Sequence, residues 1–539
     1  MGIVKGRRAL PPATPPGTVR GVRPVGSGRV TATLFVGVWL ALACSSGAPG
    51  GIARSAGPLV PTTSTSPVVP RSTDAAASTA TTTPTTTSTT ATTAVTRRLE
   101  PVEPSFGAGD TLFPGLGSSD IDVIAYDVAL NYDPTTDRLS GAVSIEVQVL
   151  VDTDTVPLDA VDLVISEVLV DGTAAPWSTE GDELLVELPH VVARASHVMV
   201  EVEYDAPHRL RSMETGYPVG WYDTEHGSYA LNEPDGASAW VPVSDHPSDK
   251  ATWRFEITVP EGTTAVANGE LLDEIRVGDD VTWVWEQIEP MTSYAILMVT
   301  GEYEVVDGND AAGVELVHAV PPSSNAALEI YEAVTIDQLE YFVELFGPYP
   351  FRTYGLAITE SFPGLAMETQ GRSLFSALDF DGTLGHMQQL LLSHELAHQW
   401  FGNAVSPARW TDMWLNEGFA TYGEWMWLDE IGLQPLDTAA RDALRGQQDA
   451  AFPVGAPPVD QLFGSGVYQG GAMVLHAVRL EVGDSQFFEI LRRWIERYSG
   501  TSATSDDFRS LAAEVAGRDL GALFDAWLDA PDPPDSYPS

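Results

Sequence analysis

In His394-Glu395-Leu-Ala-His398, residue type and spacing together specify a reaction within this 539-residue chain. On a helix, residues four apart share a face, so the two imidazoles can converge on one cation. Glu395 is turned by about 100° from His394, which sets its carboxylate beside that cation, where a general base acting on a metal-activated water belongs. Catalytic zinc keeps three protein ligands and one open position. The third ligand is expected from Glu417 in Trp414-Leu-Asn-Glu-Gly-Phe-Ala-Thr-Tyr422, at the start of a second helix, and the 18 residues between His398 and Glu417 suffice for a loop and a return. Glu424 lies seven residues further on the same face, placed to accept the outer N–H of a ligand imidazole. With 10 His and 75 Asp+Glu in the chain, a His-Glu-x-x-His pattern is expected about 0.03 times by chance. His318, His386 and His476 lack ligand spacing and read as structural.

The elements that must hold these residues are legible as periodicity. Leu390, Leu391, His394, Ala397, His398 and Phe401 form one helical stripe, with Gly402 as its expected end. Helical spacing begins with Asn325–Phe346 and dominates to Leu528. Before it, Ile121–Tyr132 and Ser144–Val151 alternate in period two, with further strands expected at Val198–Tyr204, Thr252–Val259 and Val281–Glu286. These patterns give a multidomain α+β chain: an all-β domain over 118–304 and a mainly α-helical domain over 305–530, with a Pro-rich tail at 531–539.

The N-terminal residues are of another kind. Lys5, Arg7, Arg8, Arg20, Arg23 and Arg29 precede an apolar run from Thr31 to Ala43, too short to span a membrane as a helix, and then Cys44, the only cysteine. Residues 1–43 read as a secretory signal. Ala41-Leu-Ala-Cys44 resembles a bacterial lipobox, so the expectation is a lipid on Cys44 and an extracytoplasmic, membrane-anchored protein, with plain secretion as the alternative. Residues 44–117, rich in Ser, Thr, Pro and Ala, read as a disordered tether. The formal net charge of −47 repels phosphate backbones and argues against nucleic acid as a partner. A 44% hydrophobic content with 14 Trp, 16 Tyr and 18 Phe excludes wholesale disorder.

His394-Glu-Leu-Ala-His-Gln-Trp-Phe-Gly-Asn403 together with Trp414-Leu-Asn-Glu-Gly-Phe-Ala420 resembles the aminopeptidase N family of zinc metallopeptidases, the gluzincins. The resemblance implies a saddle-like N-terminal β domain on a thermolysin-like catalytic domain, without the helical C-terminal domain of longer members. It further implies one zinc ion per chain and peptide substrates with a free N-terminus. Gly364-Leu-Ala-Met-Glu368-Thr is similar to the family's exopeptidase loop, with Thr369 replacing Asn and one additional residue after Gly364. Glu233, in Leu231-Asn-Glu-Pro-Asp-Gly-Ala-Ser238, takes the place of the second amine anchor, although Ser238 stands where Arg is common. Carboxylates in a water-poor cleft can grip an α-ammonium by charge-assisted hydrogen bonds and would reject a blocked terminus. Tyr468, in Val467-Tyr-Gln-Gly-Gly471, resembles the catalytic tyrosine, with Gly470 replacing the family's Lys. The implied function is zinc-dependent removal of N-terminal residues, with Glu395 as base and Tyr468 donating to the oxyanion. A zinc endopeptidase and a catalytically silent peptide-binding scaffold of the same fold are the competing readings.

Overall fold

The structure is a computed structural model that describes residues 104–211, 218–447 and 452–538. Cys44, the apolar run before it and most of the expected tether lie outside the described residues.

Alternation makes the sheets. Along Ile121–Asp133, Val123, Tyr126, Val128, Leu130 and Tyr132 face inward while intervening positions meet solvent, the period-two signature of a half-buried strand. That strand pairs antiparallel with Arg138–Val149 and parallel with Ala251–Pro260, near the middle of an eight-stranded sheet. The parallel register sets Tyr126 opposite Trp253, and their rings stack at 3.9 Å. A three-stranded sheet contains Thr153–Asp159. A five-stranded sheet contains Gly227–Leu231 and Met298–Gly301, and its strand Gly227–Leu231 runs directly into Glu233.

Helices follow: α1 (Asn325–Phe346), α2 (His386–Ala397), α3 (Trp414–Glu430), α4 (Leu436–Gly446) and α5 (Ser465–Val482), with further helices to Trp527. Among the described residues, none is long and apolar enough to cross a membrane. The helical body also contains a sheet that helical periodicity did not announce. Its order is Glu304–Asp307, Glu315–Val320, Leu356–Thr359, Ser373–Ser376 and, at the edge, Ala366–Met367, with Thr353–Tyr354 paired to Glu315–Val320. Leu356–Thr359 and Ser373–Ser376 are buried throughout, so no alternation marks them.

Two terminal segments differ from expectation or extend it. Residues 104–117, read from sequence as tether, are packed: Asp110 is buried and accepts from the backbone N–H groups of Trp410 and Leu112, both at 2.7 Å. In the Pro-rich tail, Tyr537 stacks on Trp527 at 4.7 Å and donates to the Ala440 carbonyl.

Candidate active site

α2 ends at Ala397, five residues before the glycine expected to stop it, and His398 is its C-cap. His394 and His398 remain one turn apart, their rings 4.6 Å between centroids. The chain returns through Val405–Pro407 into α3, which presents Glu417 in its first turn. Glu417 Oε2 lies 3.1 Å from His394 Nε2 and 3.5 Å from His398 Nε2. Donor atoms of the three residues lie within 4.8 Å of one another.

The far side of each imidazole fixes its tautomer. His394 Nδ1 is 2.6 Å from Glu424 Oε1, and His398 Nδ1 is 3.1 Å from the Phe401 carbonyl. Nδ1–H donating outward leaves Nε2 lone pairs aimed at the space beside Glu417, the arrangement a metal requires. Burial opposes charge on both rings, yet carboxylates outweigh it: Glu417 and Glu424 hold His394 well above the ordinary imidazole range, and Glu368 and Glu417 raise His398 to about 9. Burial disfavours the charged form of Glu417, but His398 and His394 hold it well below the usual carboxylate range. Such an excess of buried negative charge around two imidazoles favours a cation, and the two-nitrogen, one-carboxylate donor set suits zinc.

Glu395 stands beside this set. Burial lifts its carboxyl to about 8 against the opposing pull of His394 and His398, and its Oε2 has no hydrogen-bond partner among the described residues. The ring of Tyr468, on α5, lies parallel to that of His394 at 5.9 Å. Tyr468 comes this close because α3 and α5 touch through glycines. A Cβ on Gly471 would stand 2.7 Å from the Cα of Gly418, a backbone atom that cannot swing aside.

The two remaining carboxylates arrive from different domains. Glu233 follows Asn232, which is clamped at both ends: its Nδ2 donates to the Ile296 carbonyl at 2.9 Å, and Trp240 Nε1 donates to its Oδ1 at 3.0 Å. Glu368 leaves the edge strand Ala366–Met367. Three amides hold it, and none of them was singled out from sequence. Asn416 Nδ2 donates to Glu368 Oε1 at 2.9 Å, while Asn403 and Gln399 donate to its carbonyl. Asn268 ties the β domain to the same loop by donating to the carbonyls of Ala295 and Gln370. Gly402, at φ +120, leaves the room Asn416 needs, since a Cβ there would fall 1.9 Å from Asn416 Oδ1. Oxygens of Glu233, Glu368 and Glu417 also lie within 4.8 Å of one another. Burial first, then Glu368 and Glu417, push Glu233 well above its ordinary value.

Residues 123–295 match the Peptidase M1 N-terminal domain and residues 331–527 the Peptidase family M1 domain. The chain belongs to peptidase family M1. Aminopeptidase M1 of Arabidopsis thaliana is 26% identical over 441 residues, 75% of this chain and 49% of that protein. This M1 chain thus spans about half the length of the curated relatives it matches. A crystal structure of an M1 zinc metallopeptidase from Deinococcus radiodurans superposes with a TM-score of 0.74 at 29% identity, covering 80% of this chain and 99% of that one. A mutant of that enzyme bound to a Tyr-Ser-Ala substrate gives 0.74 at 28% identity, with the same coverage.

For this M1 chain, the outer hydrogen bond on His394 carries a measurable expectation. Glu424→Ala frees the ring to rotate and removes the acceptor that makes Nε2 the stronger donor. Affinity for zinc, measured by competition with a chromogenic chelator, should fall about 10–100-fold. An unchanged affinity would leave Glu424 as a solvated helix carboxylate.

Proposed function

We propose that the chain is a zinc aminopeptidase that hydrolyses the first peptide bond of substrates with a free N-terminus. The observation that carries this reading is the meeting of Glu233 and Glu368 beside the His394–His398–Glu417 set. Their carboxylates can take the α-ammonium of a peptide by charge-assisted hydrogen bonds, which presents the first carbonyl to Glu395. Zinc held by His394, His398 and Glu417 would supply a Lewis acid at that carbonyl. Glu395, through its unpartnered Oε2, takes the proton of the attacking water and returns it to the leaving nitrogen. The Tyr468 hydroxyl donates to the oxyanion. Asn416, Asn403 and Gln399 keep Glu368 in place. The peptide bound in the related Deinococcus radiodurans structure supports a peptide as the class of substrate. The basic and apolar residues before Cys44 support an extracytoplasmic location with a lipid anchor.

The test compares an aminoacyl arylamide with its N-acetylated form. Blocking removes two hydrogen bonds to charged groups, at about 1.5–3 kcal/mol each, so kcat/KM should fall by roughly 10²–10⁴. Equal hydrolysis of both would instead make the chain an endopeptidase, and hydrolysis of neither would favour a silent scaffold.

A further inference from the structure

Glu233, Glu368 and Glu417 form a second donor set that contains no imidazole. Each offers an oxygen within 4.8 Å of the other two, and all three are buried. Glu417 also faces His394 and His398, and Glu368 Oε1 accepts from Asn416. Glu233 is 8% exposed, and its buried Oε1 has no hydrogen-bond partner among the described residues. No arginine or lysine among the described residues ion-pairs with Glu233 or Glu368. In water-poor surroundings, three convergent carboxylates need either protons or a cation to offset their charge. A substrate ammonium supplies positive charge during turnover, and between turnovers the same oxygens remain. Zinc at the His394–His398–Glu417 set would satisfy Glu417 and leave Glu233 and Glu368 uncompensated.

We propose that Glu233, Glu368 and Glu417 bind a second divalent cation when no substrate amine is present, with Glu417 shared between the two sites. Metal pairs bridged by carboxylate commonly lie about 3.5–4 Å apart, a separation that one shared Glu can span. An all-oxygen set accepts hard ions, whereas the imidazole-containing set favours zinc, so the two positions differ in preference. The consequence is inhibition by excess metal: an ion on Glu233 and Glu368 occupies the place of the peptide terminus. This inference rests on the reading of those two residues as amine anchors.

Mn²⁺ is the probe, because it accepts oxygen donors and ranks below zinc for nitrogen-containing sites, so it leaves the first metal in place. The holoenzyme, carrying one zinc per chain, is titrated with Mn²⁺ while free Mn²⁺ is followed by electron paramagnetic resonance. Expected is one Mn²⁺ per chain that is released by L-leucinol, an amine without a scissile carbonyl. Its affinity should fall at least tenfold in Glu233→Gln, and Mn²⁺ should inhibit arylamide hydrolysis competitively. Glu368→Gln serves as a second variant should Glu233→Gln melt early. Mn²⁺ binding that ignores both leucinol and the substitution would come from the acidic surface and would overturn the inference. Absence of Mn²⁺ binding with KM raised tenfold in Glu233→Gln would overturn it and leave the anchors standing. KM unchanged in Glu233→Gln would overturn the anchor reading, and with it the competition.

Discussion

Glu395→Gln should retain one zinc per chain and lose about three orders of magnitude in kcat. The substitution preserves shape and removes the capacity to take a proton. Positioned general acid–base groups contribute about 10²–10⁴ in rate, and Glu395 is asked to act twice, on the water and on the leaving nitrogen. Metal content should not change, because His394, His398 and Glu417 already form a complete three-donor set without it. Folding should not suffer either. Burial holds the Glu395 carboxyl at about 8 in the absence of a cation, so near neutral pH it is already largely uncharged there and a neutral amide of the same shape takes its place at little cost. A dication held by His394, His398 and Glu417 would favour the carboxylate, which is the form a base needs near neutral pH. Metal analysis, a thermal melt and steady-state kinetics on one preparation check all three statements. Near-normal turnover with full zinc occupancy would remove Glu395 from the mechanism and require another base.

The residues that announced themselves in the sequence are those whose partners are local. His394, Glu395 and His398 are fixed by one turn of α2, and Glu424 relates to Glu417 by helical repeat alone. Asn325–Phe346 was bounded correctly because its apolar spacing is periodic over 22 residues. Other features depend on contacts between distant segments. Glu233 and Glu368 are more than a hundred residues apart, and only family resemblance paired them, since the meeting of two domains leaves no periodic trace. Asn416, Asn403 and Gln399 are buried polar residues that look like surface residues in a sequence. The strands Leu356–Thr359 and Ser373–Ser376 lack an exposed face, and with it the alternation that reveals strands elsewhere. Asp110 anchors residues 104–117 against Trp410, 300 positions away, so composition alone placed that segment in the tether. Signals were available for part of this. Gly418 and Gly471 sit inside helices, where glycine lowers stability by roughly 1 kcal/mol relative to Ala, and an unexplained helical glycine points to a close backbone approach.

That approach makes Gly471→Ala a severe change at a position outside the proposed ligand, base and anchor residues. In an exposed helix, Gly to Ala stabilises by about 0.4–1 kcal/mol. Here the sign inverts. The new Cβ would meet Gly418 Cα at 2.7 Å and the Cβ and carbonyl oxygen of Trp414 at 3.2 Å, so α3 and α5 must separate by several tenths of an ångström or more. Overpacking of this kind costs about 1–3 kcal/mol. The functional loss should be disproportionate, because Glu417 adjoins Gly418 on α3 and Tyr468 lies three residues before Gly471 on α5. Displacing one helix against the other moves the tyrosine relative to the proposed ligands His394, His398 and Glu417, and a misplacement of about 1 Å can reduce rate roughly 10²-fold. Gly471→Ala should therefore lower both the melting temperature and kcat, with a smaller effect on KM, because Glu233 and Glu368 lie on neither helix. Gly470→Ala is the informative neighbour. Its Cβ would meet Val454 Cγ2 at 2.7 Å, a side-chain tip that can rotate away, so its penalty should be the milder. If Gly471→Ala proved as stable and as active as the parent, the α3–α5 crossing would not be what sets Tyr468 against His394.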